Sequence, residues 1–419
     1  MKMTNKKYSL WFFGFVLIFT SAPSVAEDLL EDDGFSFEEE TDVTEDNWRS
    51  AFKVTLDQSQ THIAGGLQTQ RSTVRMEFED GFTKGWYIKL DSKYRYFWHK
   101  DQLAQQQKDA YGHHQWQQAW LQYSFGACAI KSGRQTLIWG EVEGTFAVDI
   151  VTPFDYTEQL LTEYSNIRLA QDMAFAECFS DRIQTQLFYI PNAKTDVYRH
   201  NTSQYPVQLA PGTPALDMGV DAEEEWGGRL KWLGDGFDIS IMVAKLYGNS
   251  PVVVFEQSLP KADISYFTFY GLSSSVARGR LLMKFDAGYK TDQLTSMTSE
   301  ASDRYDVAIG LEYTTSSNHN INGGFWRAGY KGDDAPNETD IITFGWSKTY
   351  LKDDLSMSLL GNWISEPRFK SITLRSEYQW DDYWNISAAL GLADSNDSTK
   401  NTPVYRPDES LVLAIKYEF

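Results

Sequence analysis

Leu411-Val412-Leu413-Ala414-Ile415-Lys416-Tyr417-Glu418-Phe419 closes the chain, and its reading decides the fold. Successive side chains of a β-strand point to opposite faces. Leu411, Leu413, Ile415, Tyr417 and Phe419 therefore share one apolar face that ends in aromatics, while Val412, Ala414, Lys416 and Glu418 form a face that turns polar. The same period of two recurs upstream. Phe52, Val54 and Leu56 oppose Lys53, Thr55 and Asp57; Val74, Met76 and Phe78 oppose Arg75 and Glu77. Leu281, Met283, Phe285, Ala287 and Tyr289 oppose Lys284, Asp286 and Lys290; Tyr305, Val307, Ile309, Leu311 and Tyr313 oppose Asp306, Ala308, Gly310 and Glu312. Strands of about ten residues with one apolar face suit a tilted crossing of a bilayer. A soluble β-sandwich alternates too, but tyrosines at strand ends fit the interfacial girdle of a membrane barrel.

Composition agrees. The 419 residues carry 38 Lys+Arg against 58 Asp+Glu, a net charge of −20, with 25 Phe, 23 Tyr, 14 Trp and 2 Cys. Mean hydropathy is −0.44, and beyond the N-terminus no apolar run is long enough for a membrane helix, which excludes a polytopic helical protein. The acidic balance argues against nucleic-acid binding, which needs a basic footprint. Two cysteines exclude a small disulfide scaffold.

Residues 1–26 read as an export signal: Lys2, Lys6 and Lys7, an apolar core from Leu10 to Phe19, and Ser24-Val25-Ala26 before the cleavage point. Residues 27–47 form an acidic periplasmic segment with no Lys or Arg, expected to stay unfolded through self-repulsion. Residues 48–419 are expected to form an up-and-down antiparallel transmembrane β-barrel. Eighteen strand segments can be counted, sixteen if two weak ones fail. Short turns (the first at 80–84, then near Gly126, Ser180, Gly234-Asp235, Ala277, Ser316–His319, Lys352 and Asp381-Asp382) alternate with longer connections such as 58–71, 98–115, 138–165 and 191–224. Short periplasmic turns alternating with long external loops is the barrel rule. This parity places both termini in the periplasm.

The inward faces then carry both signs of charge. Lys89, Asp91, Lys93 and Arg95 lie on one strand face and, with Arg134, are the candidate lumen residues. They form either a solvated, cross-linked wall or a selectivity ladder. The inserted loop 138–166 stands apart. It holds Glu141, Glu143, Asp149, Asp155, Glu158 and Glu163 without a Lys or Arg, among apolar residues such as Trp139, Phe146, Val148 and Val151. A long loop lacking strand pattern is commonly functional, and apolar residues sit poorly in water. It is expected to fold into the lumen as an acidic, cation-favouring constriction, with a helical turn at 155–161; an external lid is the alternative.

The C-terminal segment ending on Phe419 resembles the terminal strand of bacterial outer-membrane barrels, and that resemblance implies recognition by the barrel-assembly machinery. Gly133-Arg134-Gln135, Trp139-Gly140-Glu141, Val148-Asp149-Ile150 and Pro153 resemble the GRQ…WGE…NPVDV stretch of a poorly characterised outer-membrane barrel family, over roughly residues 127–190. Phe146-Ala147 stand where that family has Asn-Pro. The resemblance implies movement of hydrophobic compounds across the outer membrane and an RND-type exporter as a partner. Alginate-export barrels share the GRQ but have a basic lumen not mirrored here.

Catalysis is not expected, since the six His map mostly to connections or strand ends and form no Ser/His arrangement. No cofactor is implied and no metal site, because the adjacent His113 and His114 splay apart on an extended chain with no third ligand spaced for them. Cys128 opens the fifth strand and Cys178 closes the sixth, so both lie near one rim and within disulfide reach in the oxidising periplasm; barrel shear would instead leave them reduced. The sequence thus predicts a channel in the lipids of a Gram-negative outer membrane for small hydrophobic or amphiphilic solutes. A general cation-preferring diffusion porin is the alternative, and a non-conducting structural or adhesion barrel the second.

Overall fold

The structure, a computed structural model, describes residues 51–63, 66–98, 112–155, 167–197, 220, 222–256, 259–295, 301–332, 338–366, 368–395 and 409–419. The expected signal peptide, the acidic segment 27–47, Glu158, Glu163 and the expected helical turn at 156–161 lie outside the described residues.

Eighteen strands form one antiparallel sheet closed on itself. In chain order they are β1 (Phe52–Ile63), β2 (Gly66–Thr83), β3 (Trp86–Phe97), β4 (Gly112–Phe125), β5 (Cys128–Gln135), β6 (Gln171–Ser180), β7 (Ile183–Ile190), β8 (Glu225–Gly234) and β9 (Phe237–Tyr247). After a separate hairpin of β10 (Val252–Glu256) and β11 (Leu259–Asp263) come β12 (Tyr266–Arg278), β13 (Leu281–Leu294), β14 (Ala301–Thr314), β15 (Asn320–Tyr330) and β16 (Thr339–Tyr350). β17 (Leu355–Ile364), β18 (Phe369–Gln379), β19 (Trp384–Ser395) and β20 (Ser410–Glu418) complete the wall. Each strand pairs with its sequence neighbour, β9 with β12 across the hairpin, and β1 with β20, which closes the ring. Closure leaves the barrel no sheet edge with unpaired backbone groups, the condition for crossing lipid with strands.

The alternation read from sequence sets the two surfaces. On β14, Ile309, Leu311 and Tyr313 are exposed outward while Asp306 and Ala308 are fully buried inward. Outward Leu411, Leu413 and Ile415 of β20 continue this band. A continuous apolar exterior of this extent requires a non-aqueous surrounding, so the chain is a transmembrane β-barrel. Short turns gather at one end, as at Gly126-Ala127, Asp181-Arg182 and Gly279-Arg280, and long connections at the other. Gly126 has φ +58°, a conformation glycine adopts without a side-chain penalty.

Four expectations need correction. The stretch 58–71 is not a loop: β1 runs to Ile63 and pairs with β2 from Gly66. Its residues, such as Gln58, Ser59, Gln60 and Gln70, are polar on both faces, so it has no apolar alternation to read. The first short turn is Lys84-Gly85, one strand bulge later than 80–84. The connection 98–115 is shorter than expected, because β4 begins at Gly112; His113 and His114 lie in it opposite Arg95 and Tyr94, splayed to opposite faces as expected. The β10–β11 hairpin is a strand pair outside the eighteen segments counted from the sequence.

Membrane burial of the outer face gives an asymmetric expectation. Ile309→Arg, at the middle of β14, should lower barrel stability by about 2–4 kcal/mol, whereas Thr373→Arg on the inward face of β18 should cost little. Urea unfolding of the two variants in lipid vesicles checks this.

Candidate functional site: the lumen and its inserted segment

The wall strands β5 and β6 are clamped at the turn end. Cys128 and Cys178 are directly opposed in the register and joined by a disulfide, with Cα atoms 4.1 Å apart. Toward the other end Gln135 Nε2 donates to the Met173 carbonyl. Between these strands residues 136–155 leave the wall and enter the barrel.

Burial inside the lumen is what the apolar content of this segment requires. Trp139, Val148, Ile150 and Val151 pack with inward Met173 and Phe175 of β6, Phe188 and Ile190 of β7, Met242 and Leu246 of β9, and Phe267 and Phe269 of β12. Trp139 meets Phe188 edge-on with ring centroids 5.3 Å apart. Farther along, Val142, Ala147 and the partly buried Phe146 pack against Ala308, Trp326 and Ile341 of β14–β16. Each large apolar side chain so buried contributes about 1.5–3 kcal/mol. The segment thus reaches from β5 to the wall across the lumen and returns to β6.

A chain without strand or helix must find other partners for its backbone groups, and here many are side chains. Thr152 Oγ1 accepts from Leu137 N at 3.0 Å and donates to Leu137 O at 2.9 Å. Gln171 Nε2 donates to Val151 O, and Asn249 Nδ2 to Ile150 O. Phe154 N donates to Asp196 Oδ1, whose other oxygen accepts from Ser250 Oγ. Backbone groups serve Pro153 O, Phe154 O and Asp155 N, and the β13 wall serves others: Asp286 accepts from Glu141 N and Val142 N, and Lys290 Nζ donates to Phe146 O.

The structure places the four described acids of the segment against bases. Glu141 meets Lys231 Nζ at 2.9 Å, Glu143 meets Lys284 at 3.3 Å, Asp149 meets Arg168 at 2.5 Å and Asp155 meets Arg95 at 3.0 Å. The last two pairs are buried on both sides. The sequence reading missed Lys231 and Lys284 as partners because they lie about ninety and more residues away in the chain. Arg168 is the partner nearest in the chain, 19 residues beyond Asp149.

Lys89, Asp91, Lys93 and Arg95 all lie on the inward face of β3. Arg75 of β2 donates to Asp91 from Nε and Nη2, at 2.9 and 2.6 Å, and Lys89 meets Glu79. Arg134 does not belong with them. It shares the parity of exposed Ile130, opposes Asp172 and binds it at 2.8 Å, so it faces away from the lumen. On a strand whose outward row is otherwise Cys128, Ile130 and Ser132, alternation alone would have located it.

The inward face of the remaining arc is small and uncharged at its middle. Thr343 and Ser347 of β16, Ser358 of β17, Ser371 and Thr373 of β18, and Ser387 and Ala389 of β19 are inward by register. Near the turn end this arc becomes charged, with Arg375, Glu377, Lys416, Glu418 and Lys53. Among the described residues no cluster of His, Cys, Asp and Glu is arranged to hold a metal.

No protein-family model matches the chain, and no curated protein matches it by sequence. Solved structures share its fold. OccAB3 of Acinetobacter baumannii superposes with a TM-score of 0.56 at 9% identity, over 88% of this chain and 98% of that one. OpdK of Pseudomonas aeruginosa, solved with vanillate, gives 0.57 at 7% identity, over 88% and 98%. OccK2 (OpdF) of Pseudomonas aeruginosa, in complex with glucuronate, gives 0.55 at 9% identity, over 88% and 97%.

The buried Asp149–Arg168 pair should be costly to break from one side. Arg168→Met should destabilise the barrel by about 3–5 kcal/mol by leaving Asp149 buried beside an apolar side chain. The double variant Arg168→Met with Asp149→Leu should recover most of that loss in urea unfolding.

Proposed function

We propose that the chain is a channel in the outer membrane of a Gram-negative bacterium that passes small amphiphilic solutes bearing an anionic group. The observation that carries the reading is the asymmetry of the lumen. One side is filled by segment 136–155 and its apolar bed. The other, from β16 through β20 to β3, combines small hydroxyl side chains with a row of bases.

That row is paired in part, Arg75 with Asp91 and Glu77 and Lys89 with Glu79, but it also sets like charges side by side. Arg75 and Lys93 are directly opposed on β2 and β3, and Lys93 lies within electrostatic reach of Arg71, Arg75 and Arg95 as well as Asp155. Like charges directly opposite one another on neighbouring strands are destabilising. Their placement on a lumen face fits a passing anion, which they would hold as a selectivity site. Vanillate joins a carboxylate to an aromatic ring and glucuronate joins one to hydroxyls; barrels of the same architecture were solved with each. The GRQ…WGE resemblance supports the less polar end of this range.

The pairing of Glu141, Glu143, Asp149 and Asp155 with wall bases removes most of the field that an acidic constriction would need. This weighs against the general cation-preferring porin. The same neutralisation makes the segment a shape-defining wall, with the charge selectivity placed on β2 and β3.

Planar-bilayer recordings test the proposal. The wild-type channel should favour anions, and Arg75→Gln with Lys93→Gln should move its reversal potential toward cations, while Glu141→Gln with Glu143→Gln should move it little. A cation-selective wild type unaffected by loss of the bases would favour the diffusion porin. A barrel that inserts but passes no current would leave the structural reading.

A further inference from the structure

Four successive inward positions of β13 all engage the inserted segment. Lys284 Nζ reaches Glu143. Asp286 accepts from Glu141 N and Val142 N, the latter at 2.8 Å, and from Ser273 Oγ at 2.6 Å. A Cβ on Gly288 would overlap the Ala147 carbonyl oxygen. Lys290 Nζ donates to Phe146 O at 3.1 Å while also meeting Asp306. β13 lies across the ring from β2, the strand that carries part of the base row.

Asp286 is the unusual member. It is fully buried, and the hydrogen bonds it accepts come from a hydroxyl and two backbone N–H groups of uncharged character. Burying a carboxylate on neutral donors costs free energy that an apolar residue at the same place would avoid. The barrel does not need it, since β13 is paired along its length by backbone bonds to β12 and β14. What a carboxylate supplies and an apolar residue cannot is a fixed direction: its oxygens hold two consecutive N–H groups and so fix both the depth and the orientation of the segment at its crossing point.

We propose that Asp286 is the positioning residue of the constriction: it latches residues 141–147 onto β13, and this placement sets the width left free along the opposite arc. Gly288 is its steric counterpart, because only a residue without Cβ lets the Ala147 carbonyl rest on the strand. The proposal rests on the channel reading for its effect on width, but the latch itself is independent of conduction.

Two variants and two readouts test it on the full-length barrel refolded in lipid. Asp286→Ala removes the acceptor, and Gly288→Ala pushes the segment off the strand without removing any polar group. Hydrogen exchange read by mass spectrometry should show the amides of 141–147 exchanging about ten- to hundred-fold faster in both variants, as expected for loss of charge-assisted hydrogen bonds, while the β13 and β14 amides keep their protection. Single-channel conductance, or the size limit for uncharged sugars in liposome swelling, should rise in both. Asp286→Asn keeps one acceptor and should fall between. Unchanged exchange of 141–147 in Gly288→Ala and Asp286→Asn overturns the latch whether or not the barrel conducts. Faster exchange with unchanged conductance and size limit overturns the control of width. A wild type without current contradicts the channel reading alone, and the exchange result still decides the latch.

Discussion

Closure of the sheet through the β1–β20 pairing is the constraint from which the rest of the structure follows. In hydrocarbon no water is available to an unpaired backbone group, so a strand-built wall must return to its own first strand. Once it does, period-two alternation sorts every side chain into one of two environments. Outward rows such as Ile309 and Leu311 meet an apolar surrounding, and inward rows such as Lys89 to Arg95 meet whatever fills the lumen. A segment that leaves this wall loses its sheet partners, and residues 136–155 are held mainly by side chains, with backbone bonds at Pro153, Phe154 and Asp155. Their backbone is satisfied by Thr152, Gln171, Asn249, Asp286 and Lys290 in place of a sheet.

The interior is consequently divided between two kinds of physics. Beneath the inserted segment, Met173, Phe188, Met242 and Phe269 make a close-packed apolar cluster of the sort found in soluble domains. A polar lumen is usual for this class of barrel, so such a cluster inside the wall marks space given over to packing and not to passage. Along β2 and β3 the opposite holds. Charges of both signs are crowded together, Arg75 with Asp91 and Arg95 with Asp155, and the stability of each depends on its partner remaining in place. The segment bridges the two regions. It brings apolar side chains to one and, through Asp155, a counter-charge to the other.

Much of the wall was legible because alternation is a local signal. All eighteen barrel strands overlap the eighteen segments read from sequence, and the opposed cysteines were found because each sits within two residues of a tight turn. Legibility failed where alternation carries no apolar marker. The upper part of β1 and β2 is polar on both faces, and the β10–β11 hairpin is too short to show a pattern. It failed again for contacts set by closure. Nothing near Glu141 in the chain announces Lys231, because that meeting exists only after the sheet has curved round to enclose the segment. An acidic loop without bases is a true statement about the sequence and a false one about the field in the lumen.

The GRQ…WGE stretch shows how a short motif can encode a departure from a wall. Gly133 has φ +130°, and a Cβ there would overlap the Ala119 carbonyl of β4, so the strand can bend at this point only because the residue is glycine. Arg134 then turns outward and grips Asp172 on the return strand, while Gln135 turns inward and donates to Met173 O. One residue on each face thus ties β5 to β6 at the last position before they part. Trp139 is the first large side chain committed to the apolar bed, Gly140 fits where a Cβ would crowd Asp149, and Glu141 delivers its backbone N–H to Asp286 and its carboxylate to Lys231. Eight residues after the glycine bend, the chain has changed from a strand governed by its neighbours in the sheet to a segment bonded to the far wall. The spacing of the motif is the distance that this change requires.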